Sequence, residues 1–117
     1  MSVSEPLIQS VLLGDAVERA PVAVLVADEE LRYVAANEYA CALLGYSREE
    51  LLRMRTPEVS GAGWAPDEIE KMDAGGELDG VTRVTRKDGS EVTLHYRASE
   101  TDIAGLPYYV SVSWPEP

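Results

Sequence analysis

The sequence is poor in the residues on which disulfides, metal sites and most catalytic sites depend. Its 117 residues include one cysteine, Cys41, and one histidine, His95. A single cysteine excludes an internal disulfide and a metal site built from several cysteines. No apolar run approaches the ~18 residues of a membrane span, and residues 1–10 lack the basic start and apolar core of a secretion signal. The sequence therefore predicts a cytoplasmic protein that does not cross a membrane.

Basic residues are scarce as well. Lysine and arginine together number 10 against 21 acidic residues, which gives a net charge of −11 at pH 7. Because this charge repels phosphate groups, we expect no direct binding to nucleic acid or to an anionic membrane surface. The length suits a single domain with one core, and a content of 45% hydrophobic and 26% charged residues is ordinary for a globular protein.

Residues 1–20 are predicted to form an N-terminal helical segment. Their apolar residues recur at helical spacing and predict an amphipathic helix: Leu7, Ile8, Val11, Leu12, Ala16 and Val17. Ser4 with Pro6 is typical of a helix start, Gly14 is expected to interrupt the helix, and Pro21 is expected to end it. The stripe of Leu7, Val11 and Leu12 has two interpretations. It either docks on a second subunit, giving a homodimer, or covers the protein's own sheet.

The next two segments predict an antiparallel hairpin. Residues 22–28 are almost wholly apolar and residues 31–37 form a second apolar run, with an acidic turn at Glu29 and Glu30 between them. Helix signals follow at once. Asn37 can cap a first helix that Gly45 ends. Ser47 and Glu50 then have the spacing of a capping box, flanked by Tyr46 and Leu51 as a hydrophobic staple. Two short helices at a fixed angle are therefore predicted, and such helices can enclose a space beside a sheet.

The rest of the chain predicts one more helix and three strands. Residues 55–66 are interpreted as a loop that can include one turn, and residues 67–73 as a short helix ended by Gly75 and Gly76. The strands are predicted at 80–86, 91–99 and 106–114, with turns at 87–90 and 100–105. This order predicts an α+β domain, an antiparallel sheet with helices gathered on one face.

Alternation along the last two strands predicts which side chains meet the core. In the fourth strand the predicted core face carries Val92, Leu94, Tyr96 and Ala98, and the wetter face carries Thr93, His95 and Arg97. In the fifth strand the predicted core face carries Tyr108, Val110 and Val112, and the exposed face carries Tyr109, Ser111 and Ser113.

The order of these elements and their sequence motifs resemble the PAS family from about Leu13 to Trp114. The resemblance rests on "AVERAPVAVLVAD", on Asn37 with Ala40, on "LLGYSREELL" and on "TRKDGS". It implies a PAS fold over residues 21–117, with a five-stranded antiparallel sheet of strand order 2-1-5-4-3. It also implies a sensory or dimerisation module of the kind found in histidine kinases and two-component systems, cyclic-dinucleotide enzymes or transcription regulators. An effector domain or partner protein would lie outside this chain. The chain ends in "SVSWPEP" where the family commonly continues into a linking helix, so it is expected to be an excised domain or to work alone.

Family members often hold haem, flavin or a metabolite between the sheet and the helices. The haem-binding branch places a histidine on the helix before the third strand, and residues 67–73 have none, so haem is not expected. The light-sensing LOV branch uses an Asn-Cys-Arg motif that is absent here, because Cys41 lies on the first helix after strand two. Covalent flavin photochemistry is therefore not expected, while non-covalent flavin stays open. A small metabolite, or no ligand at all, is the prediction.

The sequence predicts no enzymatic activity. It has no nucleophile paired with a base and no glycine-rich phosphate loop, and its carboxylates cluster at loops and helix starts. What remains is a pocket whose predicted lining is Met54, Ile69, Met72, Leu94, Tyr96, Tyr108 and Val110, with Ala35 and Ala40 below. These side chains either surround a ligand or simply fill the core.

Overall fold

The five strands of the protein form one antiparallel sheet in the order β2–β1–β5–β4–β3. A computed structural model of the chain describes residues 6–60 and 64–116. The strands are β1 (Ala23–Ala27), β2 (Tyr33–Ala36), β3 (Glu77–Thr85), β4 (Glu91–Ile103) and β5 (Leu106–Pro115). The helices are α1 (Pro6–Glu18), α2 (Glu38–Leu44), α3 (Arg48–Leu51), α4 (Thr56–Ser60) and α5 (Pro66–Asp73). The predicted fold class and strand order are confirmed.

The core lies between one face of the sheet, called here the inner face, and helices α2 to α5. From the helices it takes Ala40, Leu44, Leu51, Val59 and Met72. From the strands it takes Ala23, Leu25, Ala27, Tyr33, Leu78, Val84, Leu94, Ala98 and Tyr109, among others. Leu44, Leu51 and Met72 are the largest side chains that are fully buried. Burial of these apolar groups is the main force that holds the short helices on the sheet.

The corner between α2 and α3 is built as the sequence predicts. The amide of Ala40 donates to the Asn37 side chain at 3.1 Å, and Gly45 ends α2 in a left-handed conformation with φ of 80°. Both bonds of the capping box are present. The Glu50 amide donates to the Ser47 hydroxyl at 3.1 Å, and the Ser47 amide donates to the Glu50 carboxylate at 2.9 Å. These local bonds fix the angle at which the two helices cross the sheet.

Asn37 also ties three other parts of the chain together. It is only 4% exposed, and its amide nitrogen donates to the carbonyl oxygens of Val17 at 2.8 Å and Val22 at 2.9 Å. Its side-chain oxygen accepts from the Val24 amide at 2.9 Å as well as from Ala40. Both N–H groups of its side-chain amide are thus used. Through these bonds one buried residue joins the end of α1, strand β1 and the start of α2.

Two of the turns between strands, β1–β2 and β4–β5, have a geometry that the sequence did not predict. The β1–β2 turn contains no glycine. Instead, the Asp28 carboxylate accepts from the amides of Glu30 and Arg32, and Leu31 takes the positive φ of 64°. Strands β4 and β5 pair as far as Ile103 and Leu106, so the predicted turn over 100–105 shrinks to Ala104 and Gly105. Both turn residues have positive φ, which is the geometry whose twist matches a two-residue hairpin.

Helix α1 departs from the prediction in two respects. It runs through Gly14 without interruption, because an exposed glycine weakens a helix by only about 1 kcal/mol and does not break it. It is also not amphipathic, since Leu12 points about 140° to one side of Leu7 and Val17 about 80° to the other side around the helix axis. No residue of α1 is buried, and Leu7, Val11 and Leu12 are 70%, 57% and 54% exposed. The interpretation that this stripe covers the protein's own sheet is therefore wrong, and the predicted start at Ser4 lies outside the described residues.

Strand β5 has the opposite facing to the one predicted. Tyr109 and Ser113 are buried at 7% and 5% exposure on the inner face, whereas Tyr108, Val110 and Val112 lie on the other, outer face of the sheet. Register explains the facing, because β4 and β5 pair with Tyr96 opposite Ser113 and Ala98 opposite Ser111. Since Tyr96 and Ala98 point toward the helices, their β5 partners must do so too. The predicted facing of β4 is confirmed.

Candidate ligand-binding cavity

A cavity of about 230 Å³ lies between the inner face of the sheet and helices α2, α4 and α5. The helices and the segment before α5 contribute Leu43, Leu44, Thr56, Val59, Trp64 and Glu68. The strands contribute Ala23, Leu25, Ala27, Tyr33, Val81, Thr82, Val84, Leu94, Tyr96, Tyr109 and Ser111. Most of these side chains are apolar, and the polar ones are hydroxyl groups together with one indole and one carboxylate.

The cavity exists because the two central strands carry short side chains on their inner face. Ala23 and Ala27 of β1 flank Leu25, whose partner on β5 is Ser111. Alanine and serine fill little of the space beneath helices that bulky residues such as Leu44 and Met72 hold in place. The space is partly open to solvent, because the exposed Val81 is among its lining residues, and it extends from the surface down to the buried Leu44 and Leu94.

The volume limits what the cavity can hold. An apolar cavity of about 150 Å³ is enough to admit benzene, whereas pockets for drug-sized ligands measure about 300–1,000 Å³. At about 230 Å³, this cavity suits a molecule with a single ring or a comparably compact body. Larger ligands would require the helices to move outward.

Tyr109 connects the cavity wall to helix α5. Its hydroxyl donates to the Asp73 carboxylate at 2.7 Å, and its ring meets that of Trp64 edge to face with centroids 5.5 Å apart. Burial, followed by the negative charge of Asp73, raises the pKa of the Tyr109 hydroxyl well above its usual value of 10.0. A group that enters the cavity next to Tyr109 therefore also acts on the C-terminal end of α5.

Two further tyrosines contribute hydroxyl groups to the lining. Burial and then the charge of Glu58 raise the pKa of the Tyr33 hydroxyl far above its usual range. Tyr33 is 7% exposed and belongs to the cavity lining. Burial raises the pKa of Tyr96 too, with smaller contributions from Glu68 and Asp79. All three lining tyrosines therefore stay protonated and act as neutral hydrogen-bonding groups.

The structure brings only part of the predicted site to this cavity. Leu94 and Tyr96 line it, as expected. Met72 and Ala40 are fully buried in the core beside the cavity, and Met54 and Ile69 pack against that core without lining it. Ala35 is exposed on β2, and Tyr108 and Val110 lie on the outer face. Whether any of these residues touches a ligand stays a prediction.

Sequence reasoning missed Tyr33, Trp64, Glu68, Tyr109 and Ser111. The facing of β5 was predicted wrongly because the more apolar residues of this strand lie on the outer face and its serines lie on the inner face. A usable signal was present in β1, where two alanines alternate with Leu25. Small residues at the core-facing positions of a central strand indicate a place where the interior is not filled.

Cys41 and His95 both lie away from the cavity. Cys41 is half-buried on α2, in a surface cleft with Glu18, Arg19, Glu38, Arg48 and Glu49, and burial raises the pKa of its thiol. His95 stacks on Trp114 with centroids 5.9 Å apart and lies 3.5 Å from the Glu116 carboxylate. Within residues 6–60 and 64–116, no group of three histidine, cysteine or acidic side chains is arranged to hold a metal ion.

Comparison with known families agrees with this architecture. The model of the PAS domain family matches residues 21–110, which is most of the chain. The chain belongs to the PAS domain family. It is thus a PAS sensory domain, and α1 lies before the part of the sequence that the family model matches. No curated protein matches the sequence.

Solved structures of other PAS domains superimpose closely on this one. A domain of a sensory box histidine kinase/response regulator from Geobacter sulfurreducens is 22% identical, with a TM-score of 0.81 over 96% of this chain and 98% of that one. A PAS domain from a two-component sensor histidine kinase is 15% identical, with a TM-score of 0.82 over 96% of this chain and all of that one. At these identities the similarity establishes the fold alone.

An RNA-binding light-oxygen-voltage receptor also resembles this PAS domain in structure. It is 20% identical, with a TM-score of 0.81 over 98% of this chain but only 35% of the receptor. The residues of the present cavity do not fit a flavin held through a cysteine, because Cys41 is not among its lining residues. They also include no histidine to serve as an axial haem ligand, and the volume is below that of a pocket for a drug-sized molecule.

The described helices give no sign of a membrane span. None of them combines the length and the apolar character that crossing a bilayer requires.

Proposed function

We propose that this PAS domain is a cytoplasmic sensor that binds a small, compact molecule in its cavity and passes on a conformational signal without catalysing a reaction. The observation that carries the proposal is the cavity itself, because small residues on β1 and β5 keep it open in an otherwise close-packed core. Its apolar walls would bury the body of a ligand. Its few hydroxyl groups would fix the orientation of that ligand.

The signal would travel by a shift between two populations of the domain. A ligand that touches Tyr109 competes with Asp73 for the tyrosine hydroxyl, whose bond to Asp73 measures 2.7 Å. Loss of that bond frees the C-terminal end of α5 from β5. The binding energy of the ligand thereby changes how a helix packs on the sheet, and an effector domain or partner protein of the histidine-kinase type would read this change.

A cavity-filling substitution tests the proposal. Ser111→Leu places a larger side chain in the cavity, and we expect it to abolish the rise in melting temperature that a bound ligand causes. The control is Ser99→Leu, which makes the same replacement on the adjacent strand but on the outer face. The measurement is native mass spectrometry of protein purified from cells, together with a thermal-shift screen of small metabolites. A ligand that binds the wild type and Ser111→Leu equally well would show that the cavity is not the binding site.

A second function is favoured by the exposed apolar residues of α1. A helix whose apolar residues lie all round its axis is normally buried, yet Leu7, Val11 and Leu12 are all more than half exposed. The outer face of the sheet is similarly incomplete, with Val110, Val112 and Trp114 half-buried. We propose that these two surfaces meet a second copy of the chain in a homodimer, so that the domain also serves as an interaction module.

Sedimentation velocity over a range of concentrations tests the homodimer. We expect the wild type to associate and Leu12→Asp to remain monomeric, because a carboxylate in a buried apolar contact carries a large desolvation cost. Ser10→Asp is the control, since it adds the same charge to the same helix without removing an apolar side chain. A wild type that stays monomeric at every concentration would contradict the homodimer.

A further inference from the structure

The charged group in the cavity lining is acidic. Among the described residues that line it, Glu68 alone carries a charge, and there is no lysine, arginine or histidine. Further carboxylates surround the wall. Asp73 accepts from Tyr109, and the charges of Glu58 and Asp79 act on the Tyr33 and Tyr96 hydroxyls. Among the described lining residues an anion would find no positive partner, and the guanidinium of the neighbouring Arg86 is already bonded to the Leu43 carbonyl at 2.9 Å.

The lining is also unusually aromatic for its size. Tyr33, Trp64, Tyr96 and Tyr109 all contribute to it, in a chain that has only eight tyrosines and tryptophans in total, with six Tyr and two Trp. The edge-to-face contact of Trp64 and Tyr109 turns one ring of the pair across the other. The faces of such rings carry partial negative charge and attract cations within about 6 Å, and tryptophan attracts them best.

Two polar groups in the lining have unused capacity to accept hydrogen bonds. One oxygen of Glu68 accepts from the Ala65 amide at 2.8 Å, and the other has no hydrogen-bond partner among the described residues. The Tyr33 hydroxyl, which also belongs to the lining, can accept through its oxygen. A ligand that donates hydrogen bonds would find acceptors in both groups.

We propose that the cavity selects a small organic cation, an amine or quaternary ammonium with a compact apolar body, over neutral and anionic molecules of the same size. This inference rests on the proposed function, since it names the class of ligand for the same cavity. The apolar body would lie against the alanine and leucine side chains. The charged head would lie among the aromatic rings, with Glu68 as its counter-ion.

Three probe molecules, each with a single benzene ring, separate the effect of ligand charge from that of ligand shape. They are benzylamine, benzyl alcohol and benzoate, which near neutral pH are a cation, a neutral molecule and an anion. A single ring fits a cavity of this size. Calorimetric titration is expected to show benzylamine binding about tenfold or more tighter than benzyl alcohol, because a hydrogen bond to a charged group is stronger than a neutral one. Benzoate is expected not to bind.

Substitution of the counter-ion shows whether Glu68 is responsible. Glu68→Gln keeps the shape of the side chain and an oxygen that can accept from Ala65, so the start of α5 is preserved. We expect this variant to bind benzylamine about tenfold more weakly and benzyl alcohol with unchanged affinity. The matched control is Glu70→Gln, which removes the same charge from an exposed position on the same helix and should leave both affinities unchanged. Equal losses in the two variants would overturn the role of Glu68.

The results also distinguish the two proposals. If benzyl alcohol or benzoate binds as tightly as benzylamine, and Ser111→Leu abolishes that binding, the cavity is a ligand site but the preference for cations is wrong. If none of the three probes binds and Ser111→Leu changes no ligand response in the metabolite screen, both proposals are overturned.

Discussion

The two helical regions on either side of β1 and β2 are held by different forces. In the α2–α3 corner, Leu44 and Leu51 are 1% and 0% exposed, and side-chain caps satisfy the free amides at both helix starts. Helix α1 has no buried residue, and Leu7 and Leu13 are 70% and 63% exposed. The corner is complete within one chain, whereas α1 presents apolar surface that only another molecule or segment can cover.

This difference separates the stability of the domain from its interactions. Substitutions in the corner should change the free energy of unfolding and leave association alone. Substitutions on α1 should do the reverse. The exception is the junction of the two regions at Asn37, which belongs to both because it bonds the Val17 carbonyl and also caps α2.

The largest expected contrast is between two leucines, one in each region. Leu51→Ala should lower the free energy of unfolding by about 2–5 kcal/mol, because it leaves a cavity in a fully buried site. Leu12→Ala should change it by no more than about 0.5 kcal/mol, because Leu12 is 54% exposed. Urea denaturation of both variants at low protein concentration measures the two values. A large loss in Leu12→Ala under those conditions would mean that α1 packs on its own domain.

The next contrast concerns the junction. Asn37→Ala removes four hydrogen bonds and leaves two buried amides without their acceptor, so we expect a loss of about 2–4 kcal/mol. Ser47→Ala is the comparison, since Ser47 caps α3 through a single exposed acceptor and should cost about 1 kcal/mol. Hydrogen exchange should also show faster exchange along α1 in Asn37→Ala but not in Ser47→Ala. Similar losses in both would mean that Asn37 acts only as a cap.

The same division explains what the sequence predicts well. The signals of the corner lie within a few residues of each other, so Asn37, Gly45, Ser47 and Glu50 could be assigned without knowing the rest of the fold. The turn at Asp88 and Gly89 is of the same kind. Strand order was predicted through the resemblance to the PAS family, because no local pattern of a single sequence states which strands pair.

Long-range features account for the errors. The facing of β5 depends on its register with β4, and its own alternation favoured the wrong face because Val110 and Val112 are more apolar than Ser111 and Ser113. Trp64 was missed because a loop of irregular period gives no indication of which side chains turn inward, and Glu68 was missed because a carboxylate in the first turn of a helix was interpreted only as a favourable charge at the helix start. Helix α1 was assigned correctly as a helix, but its apolar residues were too numerous to define one face.

A smaller effect is expected from strengthening α1 itself. Gly14 lies in the middle of the helix, and no atom lies within 4 Å of the position that an added Cβ would occupy. Gly14→Ala should therefore raise the stability of α1 by about 0.5–1 kcal/mol, because alanine loses less backbone entropy in a helix. The measurement is helical content by circular dichroism as temperature rises, with Gly75→Ala as the opposite case. Gly75 has a φ of 88°, so alanine should destabilise there.

The smallest expected effect is a pH dependence at the exposed edge of the corner. The pKa of Glu50 falls from 4.5 to about 2, first because Lys87 donates to its carboxylate at 2.7 Å and then because the Ser47 amide does so at 2.9 Å. A carboxylate whose pKa is lowered by folding contributes stability that is present above the unfolded pKa and is lost as pH falls toward the folded one. Melting temperatures measured from about pH 6 down to pH 2.5 should therefore decline less steeply in Glu50→Gln than in the wild type. The neighbouring Glu49→Gln should retain the wild-type slope, since Glu50 and not Glu49 forms the ion pair with Lys87. Parallel slopes in all three proteins would show that this ion pair does not persist in solution, as is common for exposed pairs.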